Sequence, residues 1–339
     1  MRALAFVFVG ALTAATLAIP AARAEPFRLI VTETETPLVP NSVADLAIGL
    51  GYYKRAGVDV ELVRVQQTPS AIAALRSGQG DMANVALDTA LQLVGRDQMK
   101  LKGVVSPDKA LPFMIAAKKS IGAVKDMTGK VFGVARVGSA DYAMSRVVLD
   151  KLGIDVDSLR YLAVGQPPVR AQALAAGQID ATTISIGVWL AMPDKSNVKE
   201  MVDQASFYKA APFVSKLNVV TDDVAKTKAT AVAGVVRGII LASRDFAKDP
   251  SLWVKAMEKA RPDVKPADLE ALGEAYRKEW SVNGGLNLDA VKFTTDTDYK
   301  LPDFKDLRTV KPKEWIDTSF IDGVLKDIGT DKTMDETGR

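Results

Sequence analysis

The sequence predicts an α/β fold, and three observations carry that expectation. Short β-branched runs alternate with amphipathic ones from the mature amino terminus to about residue 220. The stretch 130–152 reads as strand, turn and helix: the apolar run Lys130-Val131-Phe132-Gly133-Val134-Ala135, then Gly138-Ser139-Ala140-Asp141-Tyr142, then an amphipathic run. Finally, Leu75-Arg76-Ser77-Gly78-Gln79-Gly80-Asp81 is echoed by Leu174-Ala175-Ala176-Gly177-Gln178-Ile179-Asp180, with Leu, Gly, Gln and Asp at the same offsets. Each copy reads as a helix stopped by glycine and a strand begun by aspartate. A duplication and a convergence on the same helix-stop chemistry both account for the echo. Either way, two consecutive α/β units are expected.

The chain opens with a secretory leader. Arg2 supplies the basic region, residues 3–19 the apolar region, and Ala22-Arg23-Ala24 an A-x-A cleavage site, so the mature protein is expected to begin at Glu25. No cysteine follows for a lipid anchor, and no later apolar run reaches the length of a membrane span. A soluble protein exported to the periplasm is expected. The length that remains suggests two domains.

Residues 27–32 alternate and are β-branched, which predicts the first strand. The loop Glu33-Thr34-Glu35-Thr36-Pro37 follows at its carboxyl end. A helix is expected over 42–54, with Ser42 and Asp45 as a capping box. A strand over 58–65 precedes a helix that begins at Thr68-Pro69, with Thr68 as the cap and Pro69 first in the helix. A short strand over 81–85 leads to a helix capped by Asp88, and 101–105 is a further strand. The apolar segment 113–117 and the strand–turn–helix come next. Strand 158–164, Gly165-Gln166-Pro167-Pro168 opening a helix, strand 179–185 and a helix starting near Gly187 follow. Residues 216–220 form one more strand. Helical patterns then fill 225–248, 250–260 and 266–280, with a last helix within 311–329. These are expected to cover the first unit.

Cysteine and histidine are both absent. The fold therefore rests on burial without disulfides. His-based triads, imidazole acid–base catalysis and nearly all zinc sites are excluded. Carboxylates, Lys or Tyr remain available for chemistry. The 44 basic residues, two of them in the leader, nearly balance 41 acidic ones, and nothing in that balance points to nucleic acid or a membrane surface. In the glycine turn, Gly138 permits tight geometry and Ser139 can cap the helix by accepting a first-turn N–H bond. With the helix dipole, those N–H groups suit an anion. A well-capped helix and nothing more is the plain alternative.

Taken in order, four features carry a resemblance. They are the strand ending in a Thr-rich loop, the run Ala47-Ile48-Gly49-Leu50-Gly51-Tyr52-Tyr53-Lys54-Arg55-Ala56-Gly57-Val58-Asp59-Val60, the repeated Leu-x-x-Gly-Gln-x-Asp turn, and Asp126-Met127-Thr128-Gly129-Lys130-Val131-Phe132-Gly133-Val134 leading to Gly138-Ser139. Together they resemble the periplasmic solute-binding proteins of ABC importers, in the sulfonate, taurine, nitrate and thiamine-precursor group. The likeness covers about residues 27–246. It implies a two-lobed type II periplasmic binding fold, each lobe a mixed sheet flanked by helices, with the ligand cleft between the lobes. Lobe 1 would comprise 25–112 and 213–339, and lobe 2 would comprise 113–212. The hinges would fall near Leu111-Pro112-Phe113 and Pro212-Phe213-Val214. The implied function is capture of a small organic anion or zwitterion, such as a sulfonate or carboxylate, and delivery to the importer's membrane permease. The resemblance implies no cofactor, no metal and no catalytic residue, and a monomer is expected. A related thiamine-precursor enzyme depends on a histidine, which this chain lacks.

Strand ends supply the expected ligand-binding residues. They are Thr34, Glu35 and Thr36 in the first loop, and Thr68, Asp88 and Thr89 at helix starts of the first lobe. In the second lobe they are Gly138, Ser139 and Ala140 in the glycine turn, with Gln166 and Ser185 at strand ends. Phe213 is an aromatic wall at the hinge. Glu33 and Glu35 favour an ammonium or another donor on the ligand if they face inward, and are solvated loop charges otherwise. Arg136 pairs with a carboxylate or sulfonate, or points to solvent. Trp189 is a ligand wall or core. Trp253, Trp280 and Trp315 read as packing residues. Two other functions remain open: a sensory protein presenting its ligand to a membrane receptor, and a His-free periplasmic enzyme acting through Glu, Asp or Lys.

Overall fold

The computed structural model describes residues 25–96, 98–108, 112–137 and 139–333. The leader, its cleavage site and Gly138 lie outside the described residues. The strands, in chain order, are β1 (Phe27–Val31), β2 (Val60–Arg64), β3 (Met82–Ala86), β4 (Leu101–Asp108) and β5 (Phe113–Lys118). They continue with β6 (Val131–Val134), β7 (Arg160–Ala163), β8 (Ala181–Ser185), β9 (Val198–Val202) and β10 (Lys216–Thr221). They form two five-stranded sheets, ordered β2-β1-β3-β10-β4 and β7-β6-β8-β5-β9. In the first, β1 is parallel to β2 and β3, while β10 is antiparallel to β3 and β4. In the second, β6 is parallel to β7 and β8, while β5 is antiparallel to β8 and β9. The two sheets share one topology, with β10 in the first taking the place of β5 in the second.

The repeated sequence turn has the same role in both sheets. Gly78 and Gly177 end their helices at φ 69° and 73°, a left-handed conformation that glycine adopts without strain. The next residue closes each stop, as Gln79 N–H donates to Ala74 O and Gln178 N–H to Ala173 O, both at 2.9 Å. Asp81 then accepts the Arg28 N–H at 2.8 Å, and Asp180 accepts the Val131 N–H at 2.8 Å. Each aspartate also pairs with a lysine, Asp81 with Lys228 and Asp180 with Lys118. The aspartates thus tie the start of one central strand, β3 or β8, to the start of its neighbour, β1 or β6.

Helices pack against the strands of the first sheet. The longest, Ala229–Lys248, buries Val232, Val235, Val236, Ile239 and Ile240. It lies so close to Tyr53 that a Cβ on Gly238 would sit 2.4 Å from the ring. Trp253 and Trp280 meet Tyr276 and Phe246 in edge-on and tilted contacts in one buried aromatic cluster, and Trp315 is also buried, as packing residues should be.

Several helix starts differ from expectation. The expected helix 42–54 is two, Val43–Gly49 and Tyr52–Arg55, parted at Gly51 with φ 73°. Ser42 does not cap. Its hydroxyl accepts the Trp253 indole N–H at 2.9 Å, while Asp45 pairs with Arg64 at 2.6 Å. Gln67, not Thr68, precedes the helix Thr68–Arg76, and the Thr68 hydroxyl accepts the Ala86 N–H instead. The helix Leu87–Gly95 grows directly from β3, so Asp88 lies inside its first turn. The helical stretch expected over 225–248 is divided into Asp222–Thr227 and Ala229–Lys248, and the one over 266–280 stops at Ala275. Strand β9 and the helices Gln204–Ala210 and Leu288–Asp298 have no counterpart in the sequence reading.

The chain passes between the sheets twice, from β4 to β5 and again before β10. Both passages are pinned alike. Ile186 N–H donates to Pro112 O, and Leu87 N–H donates to Ser215 O, each at 2.9 Å. At each crossing, a carbonyl satisfies the first donor of the helix that follows a central strand.

Candidate functional site

The carboxyl ends of β1, β3 and β4 and the start of β10 meet at one edge of the first sheet. Lys216 opens β10 in register with Ala86 on one side and Asp108 on the other. Its ammonium forms an ion pair with Glu33 and donates to the Thr32 hydroxyl at 2.9 Å. Asp108 is buried, and its Oδ1 has no hydrogen-bond partner. Burial pushes its carboxyl up to about 7; Lys216 pulls it down, and Glu33 and Glu279 push it further up. Behind this edge runs a buried amide ladder, Asn41 to Asn84 at 3.0 Å and Asn84 to Asn218 at 2.8 Å. The edge therefore offers one half-buried cation held among carboxylates.

The matching edge of the second sheet holds the glycine turn, Gln166 and Ser185. Ser139 precedes the helix Ala140–Lys151 but does not cap it. Its hydroxyl lies 2.5 Å from both Arg136 O and Asp141 Oδ1 and has one proton to donate between them. Asp141, from the helix's own first turn, also accepts the Ala135 N–H at 2.9 Å. The carboxylate of Asp141 thus supplies the negative charge that this helix start favours. Arg170 lies behind it, with side-chain exposure of 3%, donating to Thr182 Oγ1, Gly165 O and Thr183 O and facing Asp141 at 3.5 Å. A bare anion here would meet Asp141 before it met the N–H groups. Gln166 is exposed and makes no cap bond, whereas Ser185 caps its helix by accepting the Val188 N–H.

Three cavities touch both sheets' layers, and two of them hold residues expected to bind the ligand. One, of about 540 Å³, runs between Leu38 and Val39 on one side and Ala171, Ser185 and Val188 on the other. A smaller one, of about 120 Å³, lies at the second crossing and is lined by Asp88, Met144, Phe213, Thr294 and Asp298 among others. Phe213 is buried and packs edge-on against Phe293 at 5.2 Å while lining this smaller cavity.

The structure brings together Asp88 and Phe213 at the smaller cavity, and places Ser185 at the larger. It does not bring the first loop with them. Thr34 and Glu35 are exposed, and Glu35 pairs with Arg261 at 3.4 Å, as a solvated loop charge does. Thr36 is buried beside a separate groove formed by residues 45–64 and 252–260. Thr89 is half-buried and follows Asp88 in the helix. Arg136 is exposed and lies 3.7 Å from Asp303, and Trp189 packs half-buried at the edge of the second core, under Lys195. Sequence reasoning missed Lys216, Asp108, Thr294 and Asp298. The one signal present for Asp108 was its place just past a strand, at a crossing.

The family model described as NMT1/THI5 like matches residues 45–251. Among solved structures, the chain is similar to a putative sulfonate ABC transporter periplasmic sulfonate-binding protein, SsuA, from Methylobacillus flagellatus KT. Identity is 15%, coverage 90% of this chain and 94% of that one, and the TM-score 0.71. It is similar to the alkanesulfonate-binding protein SsuA from Xanthomonas axonopodis pv. citri bound to MOPS, at 18% identity, 88% and 100% coverage and TM-score 0.62. It is also similar to the desulfurization enzyme DSZB, at 13% identity, 89% and 99% coverage and TM-score 0.64. At these identities the likeness shows the fold. No curated protein matches the chain in sequence.

Proposed function

The chain belongs to the NMT1/THI5-like family, and from that premise we propose that it is the periplasmic solute-binding component of an ABC importer. The observation that carries this reading is the pair of sheets of one topology, joined by two pinned crossings. Ligands of open α/β sheets sit outside the carboxyl ends of the strands. Two such edges facing one another form a cleft that a ligand bridges only when the hinge is closed, so binding favours the closed state. The proposed lobes are 25–112 with 213–339, and 113–212. The permease then recognises the closed form. Among the described residues no helix is long and apolar enough to cross a membrane, which agrees with a protein that meets its permease from outside.

The proposed solute is a small organic molecule with an acidic head group, a sulfonate or carboxylate, held by Lys216 from the first lobe. Ser139, Gln166 and Ser185 are the proposed contacts from the second. One similar structure is a desulfurization enzyme. We propose binding without turnover for this chain, because it has no histidine or cysteine to carry such chemistry. A thermal-shift screen of the chain from Glu25 against sulfonates, carboxylates and their amino derivatives tests both points. A ligand that binds only the folded state raises the melting temperature. The expected result is a shift for one chemical class and recovery of that compound unchanged. A converted compound would make the chain an enzyme, and no shift after unfolding and refolding, which frees any co-purified ligand, would oppose solute capture.

A further inference from the structure

We propose that the small cavity between Asp88 and Asp298 is a subsite for a small monocation, in the first place the ammonium group of the captured solute. This deepens the solute-binding reading and rests on it. The cavity lies where three elements meet: the helix after β3 brings Asp88, the helix Ala140–Lys151 brings Met144, and the helix Leu288–Asp298 brings Thr294 and Asp298. Asp298 is 3% exposed, and its Oδ2 accepts no hydrogen bond. A buried acceptor left without a donor costs about 1–3 kcal/mol. The neighbouring hydroxyl cannot help, since Thr294 already donates to Ala290 O at 2.8 Å and accepts the Val214 N–H at 3.0 Å. The two lysines nearest along these helices are turned elsewhere, Lys151 over the Phe293 ring and Lys292 to Asp296. Tyr299, next in the chain, receives the Val310 N–H.

Burial, with the charge of Asp88, pushes the Asp298 carboxyl up to about 8. A cation entering beside Asp298 favours its charged form and releases the proton that burial otherwise holds there. The cavity is about 120 Å³. A water occupies about 30 Å³ in the liquid, so an ammonium group or an alkali ion with a few waters fits, and a whole organic solute does not. Among the described residues no three carboxylates gather to hold a metal, which suits a monocation rather than a divalent ion. Lys216 pairs in register with Ala86, so it stands one strand from the helix that carries Asp88. Ser215, the residue before Lys216, lines the cavity itself.

The test compares pairs that differ by one amino group: 2-aminoethanesulfonate with ethanesulfonate, and 3-aminopropanoate with propanoate. Titration calorimetry should find the amino member of a pair bound at least tenfold more tightly, and Asp298→Asn should abolish that preference while keeping the weaker affinity. Sodium, potassium and ammonium chlorides, set against tetramethylammonium chloride at equal ionic strength, test a free cation. A melting-temperature rise with the small cations that Asp298→Asn removes would assign the cavity to an inorganic ion and support the subsite. Should Asp298→Asn not fold, Asp88→Asn serves in both arms. Solutes that bind with no amino preference, together with no small-cation effect, would overturn the subsite and leave solute capture standing. If no solute binds, solute capture fails, and the salt arm alone then decides the subsite: a small-cation effect supports it, and none overturns it.

Discussion

Two buried carboxylates, Asp108 and Asp298, are pushed up far enough to make stability fall as pH rises toward 8. Their folded values, about 7 and about 8, lie well above the 3.8 of a free aspartate. Each group binds protons more tightly folded than unfolded, so its contribution is fully present below about pH 4 and is lost as pH rises through its folded value. The chain should therefore melt at a lower temperature at about pH 8.5 than at about pH 5.5, and Asp298→Asn should recover more degrees at the higher pH than at the lower. Thermal unfolding at both values checks this, and equal curves for variant and parent at high pH would contradict it. Lys216 has the opposite role, as the half-buried cation of the first lobe's edge. Lys216→Met should weaken binding of an acidic solute roughly tenfold, about 1.4 kcal/mol, as read by calorimetry. An unchanged affinity would place the head group elsewhere. Neither carboxylate was legible in the sequence, because their distinction is burial beside other acids, which only the assembled fold creates. Arg170 is another such case, since its buried partners come from β8 and from the turn after β7.

At the scale of elements, the repeated helix stop is the feature that local chemistry dictates most fully. Both glycines have positive φ, yet their surroundings are open: nothing lies within 4 Å of a Cβ on Gly78, and the nearest atom to one on Gly177 is Lys118 Cε at 3.8 Å. Gly78→Ala and Gly177→Ala should each cost about 1–2 kcal/mol from backbone conformation alone. Gly238→Ala should cost more, because its Cβ would lie 2.4 Å from the buried Tyr53 ring. Denaturant unfolding of the three variants measures the order, and an equal loss at all three would contradict it. The stop was readable because glycine and aspartate act on their own neighbours. The helix caps were misread where a distant group claimed the side chain, Trp253 at Ser42 and Ala86 at Thr68. The helix Leu288–Asp298 escaped notice for a related reason. It buries Thr294, Thr295, Thr297 and Asp298, so its inward face is polar and has little apolar period to follow.

At the scale of the whole molecule, two sheets of one order are built from an uninterrupted run of strands in the second and a split run in the first, with β10 returning to complete it. The alternation of strands and helices made the two α/β units legible, and the resemblance suggested the return. Which side chains face one another across the junction depends on how the lobes meet, and no local pattern encodes that. Arg136, after β6, lies 3.7 Å from Asp303 on the carboxy-terminal segment, and both are largely exposed. Such a pair contributes little to stability, about 0–1 kcal/mol, but it marks two points that the proposed closure would bring together. The chain has no cysteine, so Arg136→Cys and Asp303→Cys provide two unique sites for spin labels. The proposed mechanism is capture by closure between two lobes. Its most direct test is the distance distribution between these labels, measured with and without a saturating solute that raises the melting temperature. Closure predicts a broad or longer distribution without solute and a single short one with it. A distribution that stays the same at saturation would contradict closure.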